Sequence, residues 1–195
     1  MRFCSIASGS SGNCIYVGSD NTHVLVDIGI SGKKMETGLN SLELTGRDLD
    51  GILITHEHSD HIKGLGVISR KYGIPIYATA GTVDAWCVPM HLERFRGDFH
   101  EIQENEPFMI NDLKVKPFTI PHDAAQPVGY RLEHEGHSVG IATDLGKYND
   151  YIIENLQGLD ALLTGSKYDI RMLQVGKYPY YLKQAYSGRQ RAFVQ

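Results

Sequence analysis

Cysteine is scarce in this sequence. Its 195 residues hold three, Cys4, Cys14 and Cys87, with no Cys-x-x-Cys pair. An odd number at such spacing excludes a disulfide framework and a thiolate zinc ribbon, and it points to a reduced, cytoplasmic setting. Long apolar runs are missing too. No stretch approaches the ~18 consecutive apolar residues of a membrane span, so no membrane partner is expected. The N-terminus, Met-Arg-Phe-Cys-Ser-Ile-Ala-Ser-Gly, has no apolar core of a secretory signal. Charge of one sign is also absent: 19 Lys+Arg face 23 Asp+Glu, a formal net charge of −4. This balance supplies no global field for nucleic acid, although it leaves room for a local basic groove. There is no internal repeat, low-complexity run or linker, so a single domain is expected. With 42% hydrophobic and 22% charged residues, disordered tails, collagens and coiled coils are excluded.

Periodicity places the elements. Arg2–Ala7 and Cys14–Val17 read as strands around the turn-rich segment Ser8–Asn13, and His23–Ile28 as a third strand ending in Asp27 and Gly29. Ser31–Leu42 is helix-like, with Ser31 as a cap. Gly51–Thr55 is a buried strand, His56–Lys63 a loop, and Ile62–Tyr72 a helix closed by Gly73 and Pro75. Ile76–Thr79 reads as a strand and Thr82–Val88 as a helix. Strands follow at Phe99–Ile102, Met109–Ile110, Leu113–Ile120, Gly129–Glu133 and Ser138–Ala142, then a helix at Tyr148–Leu156 and a strand at Ala161–Leu163. Strands mixed with helices predict sheets covered by helices, an α/β or α+β layer arrangement.

Histidine is abundant: nine residues, three of them within Thr55-His56-Glu57-His58-Ser59-Asp60-His61. Drawn at random from this composition, a His-x-His-x-Asp-His string arises about once in a thousand such chains. Imidazole and carboxylate are the usual ligands of zinc, manganese and iron. In an extended loop His56 and His58 project to one side. Asp60 and His61 follow as the chain turns into a helix, placed to face a second ion ~3.5–4 Å away. His122 and Asp144 each end an apolar strand, and strand ends of one layer converge on one edge. Both are therefore candidate ligands. Asp27 ends another strand and is expected to orient a ligand histidine from behind, with Asp123, beside His122, in a similar supporting place. The histidines His134 and His137 flank a hairpin turn and read as solvated, while His23, His91 and His100 have no partners in the sequence. The Ser8–Asn13 loop lacks the Gly-Lys-Ser/Thr of a phosphate loop and reads as a plain turn. Tyr178, Tyr180 and Tyr181 read as helix packing rather than a base-stacking platform.

Four segments, Val26–Gly29, Thr55–His61, Pro121–Asp123 and Ala142–Gly146, resemble in order the motifs of the metallo-β-lactamase superfamily. More narrowly, Ser5–Asn13, Thr55–Val67 and Tyr178–Gln184 are similar to its small bacterial YycJ/WalJ-like members, regarded as DNA exonucleases. The resemblance implies an α+β fold, an αββα sandwich with a two-metal site on one edge. It implies that His56, His58 and His122 hold one ion, that Asp60 and His61 hold the other, and that Asp144 bridges them. The activity implied is hydrolysis of phosphodiester bonds in DNA, with thioester or lactone hydrolysis on the same site as the alternative. Hydroxide held between two divalent ions, zinc or manganese, would attack phosphorus, with Asp60 or Asp144 orienting it.

Two departures stand out. The family pattern implies Glu-Ala-Asn-His-Asp after the strand at 161–163, and later Gly-His-Leu-Ser-Asn with a last metal-binding histidine. Here Gly165–Asp169 and Arg191–Gln195 stand in those places, and no histidine follows His137. Tyr168 and Ala192 occupy the histidine positions. Single-base shifts in the coding sequence would account for both. Coded GGA AGC AAA TAC GAC, the first segment becomes Glu-Ala-Asn-His-Asp on loss of one G and gain of one C. A shifted frame from Gln184 can read Gln-Arg-Ile-Leu-Gly-Asp-Arg-Gly-His-Leu-Ser. The expectation is an incomplete metallo-β-lactamase-like domain over 1–184, an aberrant tail over 185–195, a weakened second metal site and impaired or absent turnover. An inactive metal-binding chain is the remaining alternative.

Overall fold

The structure, a computed structural model, describes residues 1–87, 99–145, 147 and 149–165. Val88, His91, Tyr148, Tyr168, Tyr178, Tyr180, Tyr181 and the expected tail over 185–195 lie outside the described residues.

The first half of the chain builds a six-stranded sheet: β1 (Arg2–Ala7), β2 (Cys14–Gly18), β3 (His23–Val26), β4 (Gly51–Leu53), β5 (Ile76–Thr79) and β6 (Phe99–Ile102), in that spatial order. β1, β2 and β3 pair antiparallel; β3 through β6 run parallel. Parallel neighbours need long crossovers, supplied here by helices. These are α1 (Gly32–Asn40), the short α2 (Ser59–Ile62) with α3 (Leu65–Tyr72), and α4 (Ala80–Cys87). The second half builds a five-stranded sheet in the order β11 (Ala161–Thr164), β10 (His137–Ala142), β9 (Val128–His134), β8 (Leu113–Thr119) and β7 (Phe108–Ile110). It is antiparallel apart from the β10–β11 pair. The crossover between those two carries α5 (Asp150–Asn155).

Alternation along the strands sorts the side chains into three cores. Cys14, Tyr16, Leu25, Ile52 and Ile76 face Met35, Leu39, Leu65, Ile68 and Val83 of the helices. Their neighbours Ile15, Val17, Val24, Val26 and Leu53 face Val115, Tyr130, Leu132 and Ile141 of the second sheet. Phe118, Ile120 and Ala142 meet Ile152 and Leu156 on the far side. The layers are therefore helices, sheet, sheet, helix, as the α+β expectation had them. Among the described residues no helix is long and apolar enough to cross a membrane.

The expected elements recur with shifted ends, and two differences have physical reasons. The segment expected as a loop over 56–63 contains α2, because the carbonyl of His58 accepts the amides of His61 and Ile62 at 2.8 and 3.2 Å. His134 is not solvated: its side chain is 14% exposed and its Nε2 lies 3.2 Å from Asp112 Oδ2. The turn at 111–112 folds over it, a contact between residues distant in sequence.

Candidate metal centre

The strand ends at one edge of the sandwich carry the site. β3 runs out into Asp27, β4 into Thr55 and His56, β8 into the loop bearing His122, and β10 into Asp144. Asp27 and Asp144 both take left-handed backbone, φ 61° and 53°. Such conformations cost on the order of 1 kcal/mol or more in a residue other than glycine and concentrate at functional sites.

Two links join the sheets directly beneath this edge. Val128 N–H donates to the Thr55 carbonyl at 2.9 Å. The buried Tyr130 hydroxyl donates to the Ile54 carbonyl at 2.6 Å. The His122 loop is tied down separately: Glu57 Oε1 accepts the Ala125 amide at 2.8 Å, and Gln126 Oε1 accepts the Gly81 amide at 2.8 Å.

Four imidazoles then pack together. Ring centroids lie 4.0 Å apart for His56 and His61, 4.6 Å for His56 and His58, 4.7 Å for His56 and His122, and 4.9 Å for His58 and His122. Two ligand groups emerge, His56–His58–His122 and His56–His61–Asp144, each with its donor atoms within 4.8 Å of one another. His58 Nδ1 and His122 Nε2 are 3.2 Å apart. A tetrahedral ion with bonds of ~2.0–2.1 Å holds two ligand nitrogens about 3.3–3.4 Å apart, so this spacing suits a shared ion. Asp144 Oδ2 lies 2.9 Å from His61 Nε2, and Asp60 Oδ2 3.7 Å from the same nitrogen.

Buried hydrogen bonds set the direction of the rings. Asp27 accepts from His61 Nδ1 at 2.7 Å, and from the Thr55 amide and hydroxyl at 2.9 and 2.8 Å. The Thr55 oxygen stands 3.0 Å from His56 Nδ1. The Thr55 hydroxyl proton goes to the carboxylate, so its oxygen is free to accept from that ring nitrogen. His56 is thereby held as the Nδ1–H tautomer with Nε2 bare. His56 Nε2 is buried and has no hydrogen-bond partner among the described residues. A buried lone pair without a partner is costly unless something fills the space before it, and a cation does so.

The titration behaviour follows from the same packing. Burial, reinforced by the neighbouring imidazoles, pushes His56 down to about 2. Burial also disfavours charge on His61, but Asp27, Asp144 and Asp60 outweigh it and raise the group to about 10. The hydrogen bond from His61 holds Asp144 down at about 2. The donor set thus places His56, kept neutral, beside His61 and the anionic Asp144, imidazole nitrogens together with carboxylate oxygens. It fits divalent metal ions of the borderline class.

Of the residues singled out in sequence, His56, His58, His61, His122 and Asp144 come together in the two groups. Asp60 stands at their rim, with its side chain 33% exposed. Asp27 lies behind His61 as expected. Asp123 is exposed and belongs to neither group. Thr55 and Asn13 were not singled out. The place of Thr55, between an apolar strand and the first histidine, was the available signal. For Asn13 it was the glycine pair ahead of it.

Fold and donor set together define the class. A Beta-lactamase superfamily domain matches residues 22–177, and the chain belongs to that family. It is 38% identical over 192 residues to exodeoxyribonuclease YycJ of Bacillus anthracis, covering 94% of this chain and 69% of the relative. It is 36% identical over 185 residues to exodeoxyribonuclease WalJ of Streptococcus pneumoniae, with coverage of 94% and 69%. Among solved structures, Zn(2+)-bound PqqB from Methylobacterium extorquens superposes with a TM-score of 0.65 at 19% identity, over 83% of this chain and 63% of that one. That likeness concerns the fold alone.

Proposed function

We propose that this protein is a metal-dependent hydrolase that cleaves phosphodiester bonds in DNA as an exonuclease. The observation that carries the reading is the buried, unpartnered His56 Nε2 at the meeting point of the two ligand groups. Support for DNA as substrate comes from the two relatives named exodeoxyribonucleases, aligned over 94% of the chain. His56, His58 and His122 would hold one divalent ion, zinc or manganese. Asp60, His61 and Asp144 would hold a second, more weakly. Such ions polarise water and phosphoryl oxygens and offset the charge that develops during displacement.

The chain's own groups do the rest. Asp27 and Thr55 fix the ring directions, so the ligand geometry needs no rearrangement when substrate arrives. Asp60, the carboxylate at the open rim, would orient the attacking water by accepting a hydrogen bond from it, with Asp144 beside it. Aligning the attacking water with the scissile bond is itself a large part of catalysis.

The test compares the Mn2+- and Zn2+-loaded chain on DNA labelled at its 5′ or its 3′ end, with a chromogenic thioester as the rival substrate. Stepwise shortening from one end, abolished by chelator, is expected. Turnover of the thioester with intact DNA would overturn the reading.

A further inference from the structure

Three chain segments meet backbone to backbone beneath the His61 half of the cluster. Asn13 N–H donates to the Asp60 carbonyl at 2.8 Å, Gly29 N–H to the Asn13 carbonyl at 2.8 Å, and Ile28 N–H to the His61 carbonyl at 2.7 Å. They approach more closely than side chains permit. A Cβ on Gly29 would lie 1.6 Å from the Asp60 carbonyl oxygen, and one on Gly12 2.3 Å from the Gly29 oxygen.

The Asn13 side chain lies in this junction, 5% exposed. Its Oδ1 accepts the Gly9 amide at 3.0 Å, which settles which way the carboxamide points. Nδ2 therefore faces His61 Nε2 at 3.1 Å and the Asp60 carbonyl at 3.4 Å. His61 Nε2 is the atom that also lies 2.9 Å from Asp144 Oδ2. A residue that only closed the turn at 8–13 would need Oδ1 alone. Asn13 uses its other end on a ring 48 positions further along the chain. That ring is held by Asp27 at Nδ1 and met by Asn13 at Nε2.

Resting on the metal reading of the cluster, we infer that Asn13 is a positioning residue for the ion in the His61 half. Through the Asp60 carbonyl its N–H groups hold the peptide that carries Asp60 and His61 and tie it to the exposed loop at Ser8–Ser11, and the carboxamide packs beside Nε2 while leaving that lone pair to the ion. Asp27 alone leaves the ring free to tilt about its Nδ1 contact. The Asn13 carboxamide, packed against the Nε2 edge at 3.1 Å, limits that tilt.

The experiment titrates the full chain with Zn2+ against a chromophoric chelator and follows Co2+ optical spectra at one and two equivalents. Asn13→Leu removes both amide functions. Asn13→Ser keeps an oxygen acceptor near the Gly9 amide and loses the N–H group, so it separates the contact with His61 from closure of the turn. In both variants the second equivalent should bind roughly 10–100-fold more weakly, with an altered Co2+ spectrum, while the first keeps its affinity. An unchanged second equivalent in Asn13→Ser, or equal weakening of both, overturns the inference. If the parent chain itself takes up no second equivalent, the metal reading of that half fails first, whatever the variants do.

Discussion

At one edge of the sandwich, histidines meet carboxylates with a lone pair left open. At the other end of the same strands they meet around a carboxylate whose oxygens are filled, with His134 Nδ1 buried and unpartnered beside it. The far cluster centres on Asp112, whose carboxylate accepts from Ser19 Oγ at 2.8 and 3.0 Å, from Asn21 Nδ2 at 3.3 Å and from the Thr22 hydroxyl. His134 Nε2 stands 3.2 Å from the same group. Asp50, close by in the fold, accepts the His23 amide at 2.8 Å and Asn111 Nδ2 at 2.9 Å. These bonds sew the β2–β3 turn to the β7–β8 turn and so close the base of the two sheets. At the near edge the hydrogen bonds run behind the rings and leave His56 Nε2 without a partner. The same residue types serve as a fastening where donors surround one carboxylate, and as a ligand set where several imidazole nitrogens converge.

The sharpest way to break this comparison is His56→Ala. His56 offers one bare lone pair, shared in this site with His58 and His122, so tight binding of the first ion should vanish, while the second, held by Asp60, His61 and Asp144, should weaken less. Metal content after gel filtration reads this directly. Unchanged uptake of the first ion would show that the ligand role of His56 is mistaken.

Asp27→Asn should act next most strongly. It weakens the hold on His61 and on Thr55 without touching a ligand atom. Metal affinity should fall on the order of 10–100-fold, as for other partners that act through a ligand. Isothermal titration at neutral pH measures it.

Acid and base separate the two ends further. His56 is moved from 6.5 to about 2 in the folded chain. The unfolded chain therefore takes up a proton there below about 6.5 while the folded chain does not, and metal-free stability falls as pH drops. His61 is moved from 6.5 to about 10, so its contribution is complete below about 6.5 and is lost as pH rises towards 10. Asp112 is moved from 3.8 to about 2, chiefly by the Thr22 hydrogen bond, so its contribution is lost only below 3.8. Urea midpoints of the metal-free chain should peak near pH 6.5. A peak displaced to pH 9 or above would overturn the balance assigned to His56 and His61.

The smallest effect is expected from Asp112→Ala. The melting temperature should drop by a few degrees, with metal content and hydrolysis unchanged. Loss of metal together with stability would mean that the two ends are coupled.

Much of this was legible before the structure. The motif at 55–61 stands at the end of an apolar strand, so its ligand character followed from residue type and period. His122 and Asp144 were placed on the same edge because each ends an apolar run. The supporting groups were harder. Thr55 acts through a hydroxyl held between Asp27 and His56, and nothing in a single threonine announces that. Asn13 reads as the last residue of a turn, and only the three-segment junction turns its amide towards His61. His134 read as solvated because its partner Asp112 lies on a different hairpin. Long-range pairing of polar groups leaves little local signature, whereas strand ends and ligand spacing do.

The two links beneath the site, Thr55 to Val128 and Ile54 to Tyr130, bear on the order of assembly. Each ligand group takes donors from both sheets: His56 and His58 with His122 in one, and His56 and His61 with Asp144 in the other. A nascent chain that has emerged only as far as β6 carries His56, His58, Asp60 and His61 and lacks the donors that complete either set. Tight metal capture must therefore wait until the second sheet has been synthesised and has closed onto the first. Any ion bound to the native state and not to the unfolded chain then acts as a latch on that closure, strengthening the seam in proportion to the logarithm of its free concentration.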